Sequence, residues 1–69
     1  MKLSARNVLK GKVIKVTQGA VNSEVVLQLA PGLEVVAIIT RQSAETLNLK
    51  EGSDAYAVIK ASSVMIAVD

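Results

Sequence analysis

The stretch that decides the fold is residues 21–39, VNSEVVLQLAPGLEVVAII. In its first half, apolar and polar side chains alternate with the two-residue period of a strand that has one face in water. The four residues 30–33 fit a type II turn, because Pro31 presets φ at the second position and Gly32 tolerates the positive φ needed at the third. The third strand runs from about Glu34 to Ile39, and its residues 35–39 are apolar on both faces. The stretch therefore predicts a β-hairpin formed by the second and third strands of the domain.

The rest of the chain is predicted to add three more strands. A first strand covers residues 8–16, where Gly11 marks a bulge or a sharp bend. A fourth strand covers residues 55–60, and a tight reversal at 61–63 leads into a fifth at 64–68. These patterns predict a mostly β domain of five strands.

A short helix is predicted between the third and fourth strands. Thr40 is placed to cap it, with Ser43 at the third position and helix-forming residues through about Leu47. Such a helix is too short to be stable alone. We expect it to plug one end of the sheet through Ala44 and Leu47.

Length and composition point to an assembly of several chains. With 69 residues the chain forms one domain, residues 1–69, and a domain of this size buries little of its surface. Cysteine and histidine are absent, which excludes disulfides, the common zinc sites and Cys or His catalysis. Oligomerisation is the remaining way to stabilise the fold. No apolar run is long enough to span a membrane, so we expect a cytoplasmic protein.

The third, fourth and fifth strands lack the polar alternation of a sheet with one face in water. A small closed barrel has no second layer to cover their outer side chains, and exposed apolar patches of this kind mark subunit contacts. The sequence therefore predicts an obligate homo-oligomer. The alternatives are that the helix covers one face or that one strand is out of phase. The outer residues are Val36, Ile38, Tyr56, Val58, Met65 and Ala67.

Several polar residues form a set of hydrogen-bond donors. Ser4 and Arg6 precede the first strand, on one face of an extended chain, and Thr40 and Ser43 lie at the helix start, a favourable place for an anion. Lys60 ends the fourth strand. No Asp or Glu lies among these positions, which favours a fully deprotonated tetrahedral oxyanion over one that carries a proton. Each residue also has an ordinary explanation, as a solvated charge, a helix cap or a strand end.

Three blocks in order carry a resemblance that spans essentially the whole chain. They are Ser4–Asn7 with Gly11 after it, Gly19–Val25, and Ala57–Ser62. With these blocks the chain resembles the molbindins, small molybdate-binding proteins built from a single Mop domain. The resemblance implies a five-stranded OB-like barrel assembled as a homohexamer, a trimer of dimers, with oxyanions bound between subunits.

The resemblance also implies which residues bind the ligand, molybdate or tungstate. No further cofactor and no directly ligated metal is expected. A second oxyanion site is expected near a threefold axis. The residues matching the first site are Ser4, Arg6 and Lys60 as side-chain donors, Ala61 through its backbone N–H, and Thr40 and Ser43 as a further pair. The second site is assigned to Gly19, Ala20, Val21 and Asn22.

The predicted function is therefore non-catalytic binding, storage and homeostasis of the oxyanion. An alternative is an OB-type nucleic-acid-binding module, but such modules use aromatic stacking platforms and basic grooves. This chain has one aromatic residue, Tyr56, and a formal net charge of only +2. No nucleophile–base pair or metal cluster indicates an enzyme. A purely structural oligomer is the remaining alternative.

Overall fold

The computed structural model describes residues 1–69 as one antiparallel sheet with a short helix. The four strands lie in the order β3-β2-β1-β4, so that β3 and β4 are the two edges. The sheet curls until both edges line one apolar cleft, which gives an open half-barrel. The elements are β1 (Asn7–Gln18), β2 (Asn22–Ala30), β3 (Leu33–Thr40), α1 (Arg41–Thr46), β4 (Asp54–Ile59) and a 3-10 turn at Ala61–Ser63.

The hairpin of β2 and β3 confirms the prediction for residues 21–39. Ala30 pairs with Leu33 across the turn, and Gly32 has a φ of 78°, the left-handed value that a type II turn requires at this position. Alternate side chains of β2 point into the sheet's concave face, where Val25 and Leu27 are buried. With Val13 and Ala57 they form the small core.

The predicted bulge in β1 lies at a different residue. The register with β2 shifts between Val13 and Lys15, whereas Gly11 pairs regularly with Ala55 on the other side. Gly11 is needed for another reason, because a Cβ there would lie 2.7 Å from the carbonyl oxygen of Gln28. The glycine lets β2 approach β1 closely where the sheet curls.

The helix begins and ends as predicted, with Thr40 as its N-cap and Leu47 as its C-cap. Ala44 is buried, which confirms it as the residue that packs the helix onto the sheet. The same prediction for Leu47 is wrong, since its side chain is 65% exposed. Leu49, just beyond the helix, packs against the core instead.

The predicted fifth strand at residues 64–68 is wrong for the single chain, so the five-stranded closed barrel is not formed. Val64 leaves the 3-10 turn in an extended conformation, and the residues after it pair with no strand. Met65 and Ile66 are 92% and 87% exposed. A strand needs a hydrogen-bonded neighbour, and this chain places none beside the segment.

The outer apolar residues of β3 and β4 are exposed, as the sequence predicts. Val36, Ile38, Tyr56 and Val58 all lie open on the surface. Only seven residues are buried, and the accessible surface is 5505 Å². A compact monomer of 7.2 kDa exposes about 4,100 Å². The chain therefore exposes about a third more surface than a compact monomer of its mass. No helix of the structure is long and apolar enough to cross a membrane.

Candidate functional site

The pairing of β1 with β4 brings Arg6 and Lys60 to one corner of the sheet. The last pair of this ladder joins Asn7 to Ile59, and the side-chain Nδ2 of Asn7 donates to the carbonyl oxygen of Ile59 at 3.3 Å. Arg6 lies one residue before β1 and Lys60 one residue after β4, and both are exposed. We call this place the Arg6–Lys60 corner. It combines a planar guanidinium with a flexible ammonium, which suits the binding of an oxyanion.

Ser4 lies two residues before Arg6 in the chain, and Ala61 directly follows Lys60. The 3-10 turn after β4 is closed by two bonds, in which the N–H of Ser63 donates to the carbonyl of Lys60 at 2.8 Å and that of Val64 to Ala61 at 3.2 Å. The N–H of Ala61 takes no part in these bonds. The backbone therefore offers a donor beside the two cationic side chains.

Neither cation at the Arg6–Lys60 corner forms an ion pair. The two ion pairs of the structure lie elsewhere, between Lys12 Nζ and Asp54 Oδ1 at 3.0 Å and between Arg41 Nε and Glu45 Oε1 at 3.1 Å. The hydrogen bond from Lys12, reinforced by its charge, holds the pKa of Asp54 below its ordinary value. With no carboxylate paired to it, the corner carries unneutralised positive charge.

Thr40 and Ser43 form a hydroxyl pair at the start of α1. The Oγ1 of Thr40 accepts a hydrogen bond from the N–H of Ser43 at 3.0 Å and donates to the Oγ of Ser43 at 2.7 Å. The pair therefore has one hydroxyl hydrogen left for a ligand, that of Ser43. The N–H of Arg41 is also occupied, because it donates to the carbonyl of Val21 at 2.8 Å. The helix start thus offers fewer free donors than its sequence suggests.

The structure separates the two groups of predicted site residues. Thr40 pairs with Asn22 at the start of β2, beside the far end of β1, whereas the Arg6–Lys60 corner lies at the near end of β1. The 12 residues of β1 correspond to a path of about 36 Å. One chain therefore brings the ends of β1 and β4 that carry Arg6 and Lys60 together, and Thr40 and Ser43 lie at its opposite end.

The second predicted site, Gly19–Asn22, lies beside Thr40. It forms the turn between β1 and β2, closed by a bond from the N–H of Gly19 to the carbonyl of Asn22 at 2.8 Å. A shallow concavity contains part of this turn, and its wall includes the carboxylate of Glu45. Arg41 in the same wall pairs with that carboxylate at 3.1 Å, so the concavity has no unpaired cation, unlike the Arg6–Lys60 corner. The residues lining the concavity are Ala20, Val21, Thr40, Arg41, Gln42 and Glu45.

Sequence reasoning missed two features of these sites. The side chain of Asn7 adds a hydrogen bond to the last pair of the β1–β4 ladder, directly beside Arg6 and Lys60. Its place directly after Arg6 is the only sequence signal for this role. Arg41 and Gln42 line the second concavity, which only the contact between the β1–β2 turn and α1 reveals. The structure holds no cluster of acidic residues suited to a metal ion.

Comparisons with known proteins identify relatives that match nearly the full chain. Molybdenum-pterin-binding protein 3 of Clostridium pasteurianum is 53% identical over 66 residues, which is 96% of this chain and 97% of that protein. Two solved structures share the fold. MopII from the same organism has a TM-score of 0.90 and 46% identity, and covers 97% of this chain and 100% of its own. A molybdate-binding protein from Sporomusa ovata has a TM-score of 0.92 and 34% identity, and covers 99% and 100%.

The match to a protein-family model agrees with the similarity to these relatives and structures. The TOBE domain matches residues 3–66, which include β1 to β4, the helix and most of the exposed 64–68 stretch. Sequence identity, coverage and fold therefore agree over nearly the whole chain. The chain belongs to the TOBE domain family, within its group of small Mop-type proteins, the molbindins.

Proposed function

We propose that the protein binds molybdate or tungstate and thereby stores and buffers the oxyanion in the cytoplasm, without catalysing a reaction. In this proposal residues 1–69 form one Mop domain, and six copies assemble as a trimer of dimers. The binding sites lie between subunits. The Clostridium relative is named for binding molybdenum-pterin and the Sporomusa protein for binding molybdate, and both names support this ligand class.

The observation that carries the proposal is the Arg6–Lys60 corner. Two cationic side chains lie on neighbouring strand ends with no carboxylate paired to them, and a free backbone N–H lies beside them. A set made only of donors favours an anion without a proton, because a bound hydroxyl of the anion would need an acceptor. Molybdate and tungstate are such dianions.

The separation of the two donor groups supports a site between copies. Each charge-assisted hydrogen bond contributes about 1.5–3 kcal/mol, so the four donors of the Arg6–Lys60 corner give at most about 12 kcal/mol. Association costs on the order of 4–15 kcal/mol. A corner acting alone would therefore bind weakly. Ser43 of another copy, with its free hydroxyl hydrogen, would add the missing contact, and Thr40 would act as its positioning partner.

Titration of the protein with inorganic molybdate by calorimetry tests the role of the corner. We expect Arg6→Ala to weaken binding by at least about tenfold, because one charge-assisted bond is lost, while the native mass is unchanged. Lys50→Ala is the matched control, since Lys50 is an exposed cation outside both sites. An unchanged affinity of Arg6→Ala would exclude Arg6 from the site. Molybdate is used alone because the name of the Clostridium relative also mentions a pterin.

A second experiment tests the ligand and the assembly together. Elemental analysis of protein purified without added oxyanion is combined with native mass spectrometry. The proposal expects molybdenum or tungsten at a fixed ratio to a hexamer, and no displacement by excess phosphate. A protein that stays monomeric and free of both metals would contradict the proposal.

A further inference from the structure

The end of the β1–β4 ladder carries the only hydrogen bond that joins a side chain to the backbone of another strand. The side-chain Nδ2 of Asn7 donates to the carbonyl oxygen of Ile59 at 3.3 Å, across 52 residues of sequence, and Asn7 is half-buried. Apart from the Lys12–Asp54 ion pair, every other side-chain bond lies within residues 40–45. A single amide therefore links the two strands at the point where their backbone pairing stops.

This place in the ladder is the one most exposed to opening. Strand ends open first, because residues beyond the last pair have no neighbouring strand to hold them. Arg6 and Lys60 lie directly beyond the Asn7–Ile59 pair, one on each side. A bond that keeps this pair closed therefore acts on both cations of the Arg6–Lys60 corner.

The Asn7 bond also restrains the backbone at Lys60 from one side. A peptide group is planar, so the carbonyl oxygen of Ile59 and the N–H of Lys60 turn together. The next peptide group is held from the other side, since the N–H of Ser63 donates to the carbonyl oxygen of Lys60 at 2.8 Å. The two bonds flank the Cα of Lys60 and hold its backbone at a φ of −62° and a ψ of 129°.

The second of these peptide groups carries the free N–H of Ala61. Because that N–H lies in one plane with the carbonyl of Lys60, the bond from Ser63 sets its direction too. With both peptide groups restrained, the direction in which the Lys60 side chain leaves the backbone is set before a ligand arrives. Donors that are already in place lose less conformational freedom on binding, which raises the affinity.

We propose that Asn7 is a positioning residue of the oxyanion site, which holds Lys60 and the N–H of Ala61 in place for the anion by bonding to the carbonyl of Ile59. The inference rests on the proposed function and extends it to a residue that acts without touching the anion. An amide suits this role because it donates without adding charge. Asp at this position would have no donor and would place a carboxylate beside two cations.

Calorimetric titration with inorganic molybdate tests the proposal in Asn7→Leu, which has a side chain of similar size without a donor. We expect the dissociation constant to rise by about three- to tenfold, the loss expected from one neutral hydrogen bond, with the native mass unchanged. Asn7→Gln keeps the amide donor and should bind within about twofold of the wild-type protein. Gln28→Leu is the matched control, because it removes from the same sheet an amide that makes no side-chain hydrogen bond.

A measurement without ligand separates positioning from a general loss of stability. NMR relaxation of the backbone amides should show the N–H groups of Lys60 and Ala61 gaining mobility in Asn7→Leu. The amides of the β2–β3 hairpin, in which Asn7 takes no part, should keep their mobility. Unchanged mobility at both Lys60 and Ala61 would overturn the proposal. Equal losses of affinity in Asn7→Leu and Asn7→Gln would overturn it as well, because the amide donor would then not be the cause.

The outcomes also separate this inference from the proposed function. A purely structural role for Asn7 would lower the free energy of unfolding of Asn7→Leu but leave the dissociation constant of the assembled protein unchanged. In that case Asn7 has no positioning role and the oxyanion function stands. If the wild-type protein itself binds no molybdate, the function is wrong and the inference falls with it.

Discussion

At the scale of single residues, Ser23 carries a buried polar atom with no partner. Its side chain is 1% exposed, and no group of the protein bonds to its hydroxyl. It lies on the inner face of β2, ahead of Val25 and Leu27. A buried hydroxyl without a hydrogen bond costs about 1–3 kcal/mol. Ser23 therefore lowers the stability of a domain whose core is already small.

We predict that Ser23→Ala raises the free energy of unfolding by about 1 kcal/mol, because it removes the unsatisfied hydroxyl with almost no change of volume. Urea denaturation at fixed protein concentration measures the effect. Ser62→Ala, at an exposed position, is the control and should change stability by less than about 0.5 kcal/mol. A clear loss of stability in Ser23→Ala would mean that the hydroxyl is bonded after all.

The Lys12–Asp54 pair predicts a pH effect of defined sign. Because Lys12 holds the pKa of Asp54 below its ordinary value of 3.8, the folded state binds a proton less readily than the unfolded chain. The contribution of the pair is present above that value and is lost as the pH falls through the lower folded pKa. NMR titration of Lys12→Met should show the midpoint of Asp54 rising, whereas Lys50→Met should leave it unchanged. The same midpoint in both variants would contradict the assignment.

At the scale of elements, substitutions at Gly32 in the β2–β3 turn report the effect of backbone conformation alone. A side chain at Gly32 would meet nothing within 4 Å, so a substitution there acts only through its φ of 78°. We predict that Gly32→Ala lowers the free energy of unfolding by about 1–2 kcal/mol. Gly32→Asn should lower the free energy of unfolding by less, since Asn tolerates a positive φ better than Ala does. Equal losses measured by urea denaturation would show that φ is not the cause.

The β2–β3 hairpin and α1 were predictable because their signals are local. The alternation of β2, the Pro31-Gly32 turn and the Thr40 cap each act within a few residues of chain. The position of the β1 bulge was not predictable, because the register shift between Val13 and Lys15 is a property of the pairing with β2 and not of the local sequence of β1. Leu47 was misassigned for a related reason, since Leu49 reaches the same core from the following loop.

The candidate site was predictable in its residue types but not in its arrangement. Arg6 and Lys60 are distant in sequence, and only the β1–β4 register makes them neighbours. That Thr40 lies at the other end of β1 likewise follows from topology alone. The prediction of the fifth strand was wrong for the single chain, because a local pattern indicates an extended segment but does not identify the edge with which that segment pairs.

At the scale of the whole molecule, the surplus of exposed apolar surface predicts that stability depends on assembly. The midpoint of thermal unfolding should rise with protein concentration, because the proposed assembly would bury the outer faces of β3 and β4, which the single chain leaves exposed. Molybdate at about 100 times its dissociation constant should raise the free energy of unfolding by about 2.7 kcal/mol. Chloride at equal ionic strength is the control. A midpoint independent of protein concentration would mean that the single chain is stable alone.

The unpaired edges of β3 and β4 also concern the protein before it meets another copy. A newly synthesised chain would carry two open strand edges and an apolar tail, the features that promote aggregation and recognition by chaperones and proteases. Encounters between copies become rarer as expression falls, whereas recognition by a chaperone or protease needs only one chain of the protein. In the proposed assembly, the open edges would therefore make the survival of a new chain depend on how soon it meets another copy.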